Sequence, residues 1–219
     1  MSSSFFAEWL DKTFSGFDYA ILSFMHMLAQ GAGAVLTPIA KFITFIGEKG
    51  IVFLLLALVL MCFSKTRKAG ICVFGAVCCG ALITNICLKD IICRIRPLEA
   101  TETFKSWWQY VGSPFEDGFS FPSGHVTAAM SALTALCLVM GKKYIIPSAA
   151  FVLLMAASRN YLMAHYPTDV IAGIIVGGFA AVIAYFITKL IYGFLEKNKQ
   201  NSFSKFVLDF DLRQLFKSR

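Results

Sequence analysis

Charged residues are scarce in this sequence. They make up 15% of its 219 residues, against about 25% in an ordinary soluble domain. Hydrophobic residues make up 58%, against roughly 45–50% in soluble domains. This composition argues against a soluble protein and predicts a chain that crosses the lipid bilayer several times. Its length suits a single domain.

Patterns that bind metals are also missing. The seven cysteines fall almost entirely within apolar runs, and no pair has the spacing of a zinc or redox site. They therefore behave as small hydrophobic residues, with Cys93 the exception because it lies among basic residues. No group of carboxylates is arranged as magnesium or calcium requires. The sequence thus predicts chemistry that uses no metal and no cofactor.

Acidic residues are outnumbered by basic ones. The 20 lysines and arginines against 13 acidic residues give a net charge of +7. In a membrane protein such an excess usually marks cytoplasmic loops and contact with anionic lipid headgroups, not with nucleic acid. The N-terminal residues show no cleavable signal peptide, so insertion would depend on internal segments. The bilayer is the expected partner, and the oligomeric state is unknown.

Apolar segments predict an all-α, polytopic membrane helix bundle. Two N-terminal segments, 17–28 and 34–46, are shorter than the roughly 20 residues that a spanning helix needs. Together with the amphipathic residues 5–14, they predict one or two short interfacial helices or a broken sixth span. Five clearer spans are predicted at 51–63, 69–88, 124–140, 144–157 and 170–195.

The loops between these segments alternate between two sides of the membrane. One side has dense basic loops at 65–68 and 142–143 and a basic tail at 196–219, so the positive-inside rule places it in the cytoplasm. The tail is expected to form an amphipathic surface helix or to stay solvated. The aromatic-rich connection 98–121, on the opposite side, is expected to be an interfacial lid or rim.

Three polar stretches also fall on this opposite, extracytoplasmic side, each at the edge of an apolar segment. They are 89–97, 122–125 and 158–169. A bundle with short loops would bring the ends of its helices together at one membrane face. The three stretches are therefore expected to form one site.

The residue types in these stretches suit a phosphate ester. Lys89, Arg96 and Arg159 supply cations, and Ser123 and Gly124 begin a helix whose free N–H groups attract anions. Two histidines provide a nucleophile and a proton donor, and a carboxylate can orient one imidazole. These three residues are His125, His165 and Asp169. Taken singly, the basic residues, Arg94 included, also fit membrane-flanking charges, and 122–125 also fits a helix cap.

The three stretches together resemble a known family. They read Lys89-x6-Arg96-Pro97, Pro122-Ser123-Gly124-His125 and Ser158-Arg159-x5-His165-x3-Asp169. In type, order and spacing they are similar to the signature motifs of the type 2 phosphatidic acid phosphatase (PAP2) superfamily. That family includes lipid phosphatases, undecaprenyl pyrophosphate phosphatases and, more distantly, the soluble vanadium haloperoxidases. The resemblance covers about residues 42–195.

The resemblance implies a membrane lipid phosphatase with a six-helix core in many members. His165 would be the nucleophile that forms a phosphohistidine, Asp169 would orient it, and His125 would protonate the leaving group. The phosphoryl oxygens would be held by Lys89, Arg96, Ser123, Gly124 and Arg159. The chain would divide into an N-terminal part (1–46), a phosphatase core (47–195) and a cytoplasmic tail (196–219).

The substrate and two other functions stay open. A polyprenyl diphosphate, phosphatidylglycerophosphate and phosphatidic acid all fit, with a weak preference for the polyprenyl carrier. A protein that only binds or transports anionic lipid on the same fold is the main alternative, although binding needs no nucleophile. A haloperoxidase is disfavoured by the apolar spans.

Overall fold

The computed structural model describes residues 4–214, and every regular element within that range is helical. This confirms the predicted all-α class. Seven residues, Leu82–Leu88, form a π-helical segment between α3 and α4. The helices are α1 (Phe5–Gly47), α2 (Ile51–Met61), α3 (Arg67–Ala81), α4 (Lys89–Ile92), α5 (Pro97–Ala100), α6 (Glu102–Tyr110), α7 (Gly124–Met140), α8 (Ile145–Tyr161), α9 (Pro167–Lys197) and α10 (Ser202–Asp209).

Helix α1 is one interrupted helix, which agrees with the predicted broken segment and not with two short separate helices. Its 43 residues give a length of about 65 Å at 1.5 Å per residue. One kink interrupts it at Ala32, where φ is −137° and ψ is 21°. Glycines on both sides of Ala32 permit this irregular backbone. The segments read from sequence as separate pieces are thus two arms of one helix.

The count of five spans is not confirmed. Among residues 4–214, three helical stretches are long and apolar enough to cross a membrane, namely Phe5–Met61, Arg67–Ala100 and Pro167–Lys197. Helix α7 is apolar but shorter, at 17 residues. These stretches make the chain a membrane protein, since a bilayer core of about 30 Å needs roughly 20 apolar residues.

Helices α3, α7 and α9 pack against one another at the centre of the bundle, with α2 against α3 and α8 against α7. Glycines allow α7 and α9 to approach closely, as predicted for helices in a bilayer. A Cβ atom on Gly177 would lie 2.7 Å from the carbonyl oxygen of Thr127. The same contact brings the first turns of the two helices together, where the Ser123 N–H donates to the Asp169 carbonyl at 3.1 Å.

Helix α1 runs across the end of the bundle that holds the polar stretches. Asp18 in its first arm accepts a hydrogen bond from the backbone N–H of Thr168, in the first turn of α9, at 3.0 Å. Thr37 in its second arm lies 2.7 Å from the hydroxyl of Tyr161, the last residue of α8. The helix therefore contributes side chains to the site.

Helix α10 packs near the loop between α2 and α3, so part of the predicted tail, 196–219, is a helix. The buried guanidinium of Arg67 donates to the carbonyl of Val207 at 2.7 Å, near the end of α10. Cations favour helix C-termini, which accounts for this contact. Leu215 and Phe216, which the amphipathic pattern included, lie outside the described residues.

Candidate active site

The three polar stretches meet at one cavity of about 650 Å³. Five of the eight residues named from the sequence line this cavity: Lys89, Arg96, Gly124, His125 and His165. The remaining three, Ser123, Arg159 and Asp169, are at most 3% exposed and lie beneath the lining residues. The predicted convergence at one helix end thus brings all eight residues to a single region.

Local helix geometry places these side chains at the cavity. Lys89 directly follows the π-helical segment Leu82–Leu88, a rare conformation that is frequent at functional sites. Gly124 is the first residue of α7, with Ser123 as its N-cap. His165 lies in the short connection between α8 and α9. Each side chain therefore lies where a helix begins or ends.

The two arginines of the predicted phosphate clamp share one carboxylate. Nη1 of Arg96 donates to Oε2 of Glu116 at 2.9 Å, and Nη2 of Arg159 donates to Oε1 of the same side chain at 2.5 Å. Both guanidinium groups are at most 4% exposed. Their proximity creates a buried, cationic site suited to an anion with several oxygens.

Each ring nitrogen of His165 lies near a different group. Nε2 is 3.4 Å from Nη1 of Arg96, and Nδ1 is 3.7 Å from Oδ2 of Asp169. Because Arg96 can only donate, Nε2 takes the acceptor role, which puts the ring proton on Nδ1. In this tautomer the lone pair of Nε2 points toward the cavity side and the carboxylate lies behind the ring.

Ser120 is a member of this arrangement that the sequence pattern did not reveal. Its hydroxyl donates to Oδ2 of Asp169 at 2.5 Å and lies 3.4 Å from Nδ1 of His165. The Asp169 carboxylate also accepts the backbone N–H of Tyr166 at 2.9 Å. These donors fix the orientation of the carboxylate and, through it, of the imidazole.

The pKa of His165 lies well below the usual histidine value. The main cause is burial, which disfavours the charged imidazolium, and the positive charges of Arg96, Arg159 and Lys89 act in the same direction. The imidazole is therefore neutral at neutral pH, as a nucleophile must be.

The start of α7 offers polar groups beside the imidazole. The Oγ atom of Ser123 is buried and has no hydrogen-bond partner among the described residues. A Cβ atom on Gly124 would meet only Oδ1 of Asn85, at 3.9 Å, within 4 Å. The N–H groups of the first turn are free of intrahelical partners. This helix end can therefore receive an anion at close range.

Arg94 occupies a central position that sequence reasoning missed. Its guanidinium donates to Oδ1 of Asp169 at 2.6 Å, to Oδ2 of Asp18 at 2.8 Å and to Oδ1 of Asp11 at 2.8 Å. Its side chain is 1% exposed. Arg94 was read as a membrane-flanking charge, but it links the carboxylate behind His165 to helix α1.

His125 also has a carboxylate neighbour, which corrects the expectation that only His165 does. Its Nε2 atom lies 3.3 Å from Oε2 of Glu48, just after the end of α1. The side chain of His125 is 16% exposed and that of Glu48 is 49% exposed. The pair lies at the rim of the cavity, where Glu48 can accept a hydrogen bond from the imidazole N–H.

Within residues 4–214, no group of three or more His, Cys, Asp or Glu side chains is placed to hold a metal ion. The titratable groups at the cavity are instead interleaved with lysine and arginine. The basic side chains suit the binding of a phosphoryl group.

Comparisons with known proteins identify relatives of this chain. The lipid A 4'-phosphatase of Bacteroides thetaiotaomicron is 31% identical over 107 residues, 47% of this chain and 46% of that protein. The undecaprenyl-diphosphatase of Sulfolobus acidocaldarius is 26% identical over 125 residues, 57% of this chain and 58% of that protein. The chain thus spans about half the length of the curated relatives it matches.

A solved structure shares the fold. It is the crystal structure of a transmembrane PAP2 type phosphatidylglycerolphosphate phosphatase from Bacillus subtilis. The TM-score is 0.63 at 24% identity, over 88% of this chain and 91% of the other. A family model of the PAP2 superfamily matches residues 69–192, which contain all three polar stretches and more than half of the chain. The chain therefore belongs to the PAP2 superfamily.

Proposed function

We propose that this chain is an integral membrane phosphatase that hydrolyses a lipid phosphate or diphosphate through a phosphohistidine intermediate. The observation that supports this most directly is the position of His165. Its Nε2 atom is on the side of Arg96 and the cavity, while Asp169 lies behind Nδ1 at 3.7 Å. A neutral imidazole with an oriented lone pair beside a phosphate clamp has the geometry of a nucleophile.

In the first step, Nε2 of His165 attacks phosphorus, and the bond between phosphorus and the lipid oxygen breaks. His125 gives its proton to the leaving oxygen, which departs as an alcohol or, from a diphosphate, as a lipid monophosphate. Asp169 stabilises the positive charge that develops on the attacking imidazole. Glu48, 3.3 Å from Nε2 of His125, holds the second imidazole at the rim.

In the second step, water attacks the phosphorus of the phosphohistidine and the bond to nitrogen breaks. His125, now neutral, takes a proton from the water, which restores both imidazoles and releases inorganic phosphate. Lys89, Arg96, Arg159 and the first turn of α7 hold the phosphoryl oxygens in both steps. No step requires a metal ion or a cofactor.

The location of the site and the names of the relatives support a proposal for the substrate class. The cavity lies at one end of a bundle of apolar helices, so a phosphate headgroup can enter it while its lipid stays in the bilayer. The relatives are named for lipid A and undecaprenyl diphosphate, and the solved structure for phosphatidylglycerolphosphate. We propose a terminal phosphate or diphosphate on a lipid of one of these kinds, or on phosphatidic acid.

The protein is proposed to lie in the cell membrane, with its site on the extracytoplasmic face. The basic loops 65–68 and 142–143 are at the opposite ends of the helices, and the positive-inside rule assigns them to the cytoplasm. Residues 47–195 then form the catalytic core and 196–219 a cytoplasmic tail.

A protein of this fold that binds or transports anionic lipid without hydrolysis is the second candidate. Binding would need the cationic residues alone. The buried hydrogen bonds from Ser120 and Arg94 to the carboxylate behind His165, at 2.5 and 2.6 Å, orient an imidazole that simple binding of an anion does not need. They favour the enzyme.

Trapping the intermediate tests the proposal. Purified protein is mixed with a lipid phosphate or an activated aryl phosphate, each labelled with ³²P. The mixture is quenched rapidly and assayed for protein-bound phosphate that is labile in acid and stable in base. His125→Ala should accumulate it with an activated aryl phosphate, since this leaving group needs little proton donation. His165→Ala should show neither bound phosphate nor turnover.

The matched control is His26→Ala, in a histidine that stacks on Trp107 away from the cavity and should leave turnover unchanged. Bound phosphate on His165→Ala would exchange the roles of the two cavity histidines. Absence of turnover in the unaltered protein with every lipid phosphate, despite phosphate binding, would support the non-catalytic alternative.

A further inference from the structure

One loop supplies most of the contacts of the arginine clamp. It is the segment 112–121, between α6 and the start of α7, and is called the 112–121 loop below. Glu116 in this loop joins Arg96 to Arg159 through its two carboxylate oxygens, at 2.9 and 2.5 Å. Its side chain is only 7% exposed. The carboxylate thus occupies the donors that the proposed function assigns to phosphoryl oxygens.

The remaining donors of Arg96 are also largely used. Its Nε atom donates to the carbonyl of Gly118 at 2.9 Å, and Nη2 donates to the carbonyl of Asp117 at 2.7 Å. Arg159, in contrast, keeps a buried Nε atom that has no partner among residues 4–214. The two cations are thus bound by one negative charge, with donor capacity left over for an anion that has more oxygens.

The rest of the loop provides little that would hold Glu116 in place. Phe115, directly before it, is 87% exposed. Asp117 and Gly118, directly after it, are also exposed. Displacement of the carboxylate therefore breaks its own ion pairs and the two carbonyl contacts, and it uncovers little apolar surface.

We propose that Glu116 is a specificity-determining residue, which makes the clamp select a terminal phosphate over a phosphodiester. This rests on the proposed function. A terminal phosphate carries about −1.5 to −2 charges and three free oxygens at pH 7. It brings more charge than the carboxylate it replaces and an additional acceptor for the free donor of Arg159. A phosphodiester brings one charge and two free oxygens, so it gains nothing by the exchange.

This selection has a reason in the surroundings of the protein. The bulk phospholipids of a bilayer are phosphodiesters, and they are present in large excess at the membrane face where the cavity lies. An arginine pair without a competing carboxylate would bind their headgroups through charge-assisted hydrogen bonds. Glu116 prevents this occupation, while a substrate with a terminal phosphate displaces it.

The test compares Glu116→Gln with Asp117→Asn. Both remove one negative charge from the same loop, but Asp117 contacts Arg96 through its backbone carbonyl, which the asparagine variant retains. Binding of inorganic phosphate to purified protein is measured by calorimetry. Glu116→Gln should bind phosphate about tenfold more tightly, the size expected for loss of a charge-assisted competitor. Asp117→Asn should stay within about twofold of the unaltered protein.

A second measurement addresses selectivity. Hydrolysis of an aryl phosphate is followed in mixed micelles with increasing phosphatidylglycerol, a phosphodiester. The unaltered protein and Asp117→Asn should be insensitive, whereas Glu116→Gln should be inhibited. If Glu116→Gln binds phosphate no more tightly than the unaltered protein, or stays insensitive to phosphatidylglycerol, Glu116 only supports the arginines and the proposal is wrong.

Two further arms keep the outcome clear. If Glu116→Gln does not fold, Glu116→Asp replaces it, and its shorter side chain should give the same changes at reduced size. Phosphate binding does not depend on turnover, so it separates this proposal from the proposed function. Tighter phosphate binding by Glu116→Gln in a protein without phosphatase activity would leave the role of Glu116 in place and overturn only the enzyme.

Discussion

The buried cluster around Arg94 leads to a prediction about two similar residues of helix α1. Asp11 and Asp18 both accept a hydrogen bond from the Arg94 guanidinium at 2.8 Å. The side chain of Asp11 is 47% exposed, whereas that of Asp18 is 3% exposed. Replacement of each aspartate by asparagine removes the same charge from the same partner. The two variants therefore differ only in burial and in the other contacts of each carboxylate.

The expected magnitudes follow from this difference. An exposed ion pair contributes about 0.2–1 kcal/mol, whereas breaking a buried pair costs about 3–5 kcal/mol. Asp18 also accepts from the N–H and the hydroxyl of Thr168, at 3.0 and 2.8 Å. A side-chain amide in place of this carboxylate can accept only some of these bonds, because it has one acceptor oxygen. We expect Asp18→Asn to lower the free energy of unfolding by about 3 kcal/mol and Asp11→Asn by less than about 1 kcal/mol.

Thermal unfolding in detergent micelles measures the first effect. For a chain of this size, 1 kcal/mol corresponds to about 2–4 °C, so Asp18→Asn should lower the midpoint by about 6–12 °C and Asp11→Asn by less than about 4 °C. Turnover at temperatures where both variants are folded measures the second effect. Loss of the Asp18 carboxylate removes one of the contacts that position the Arg94 side chain, which orients Asp169. Small misplacements of catalytic groups cost up to about 100-fold in rate.

A purely structural role of Asp18 predicts a different result. It would lower the unfolding midpoint of Asp18→Asn without changing turnover by the folded protein. Equal midpoints and equal turnover for Asp11→Asn and Asp18→Asn would refute the reasoning from burial. A larger effect of Asp11→Asn on both quantities would show that the exposed pair is the more important one.

Three further predictions concern conditions and topology. Turnover should persist in EDTA; a loss that magnesium restores would contradict a mechanism based on histidine alone. A cysteine at Ser113 should react with a membrane-impermeant thiol reagent in intact cells more than the unsubstituted protein does, and a cysteine at Lys142 should not. The reverse pattern would place the site in the cytoplasm. The lowered pKa of His165 keeps its imidazole neutral as the pH falls through 6.5. The acid limb of the kcat/KM profile, corrected for ionisation of the substrate, should therefore lie below pH 6.5. An acid limb that is half-maximal at or above pH 6.5 would contradict the role of His165 as nucleophile.

The sequence predicted the location of the site because its residues lie at helix ends. Lys89, Gly124 and His165 each follow or precede an apolar run, and a bundle with short connections brings such positions together. His165 and Asp169 are also only four positions apart in sequence, which keeps the carboxylate near the imidazole. The family, the all-α class and five of the residues that line the cavity were accessible from these patterns.

Other members of the site had no local signal. Arg94 lies 83 and 76 residues from Asp11 and Asp18 in sequence, and nothing in its own segment distinguishes it from a membrane-flanking charge. Glu116 lies 43 residues from Arg159, in a connection whose aromatic residues indicated only an interface. Such contacts depend on tertiary packing, which periodicity does not encode.

For the N-terminal helix, the sequence left short separate helices and one broken span as alternatives. Glycines around Ala32 and Pro38 within α1 are typical of breaks between elements. Packing against α8 overrides these preferences, so the chain bends at Ala32 and continues as a helix. Tertiary contacts commonly outweigh local propensity in this way.

The position of Asp18 in α1 has a consequence for the biogenesis of the protein. Thr168, whose backbone N–H binds Asp18, is made 150 residues later, which at roughly 5–20 residues per second is a delay of about 8–30 s. During this time α1 and the earlier spans are already in the membrane. The carboxylate finds Arg94 first and its remaining partners only when α9 arrives. A chain that stops after α8 thus lacks both donors of Thr168 that complete the hydrogen bonding of Asp18.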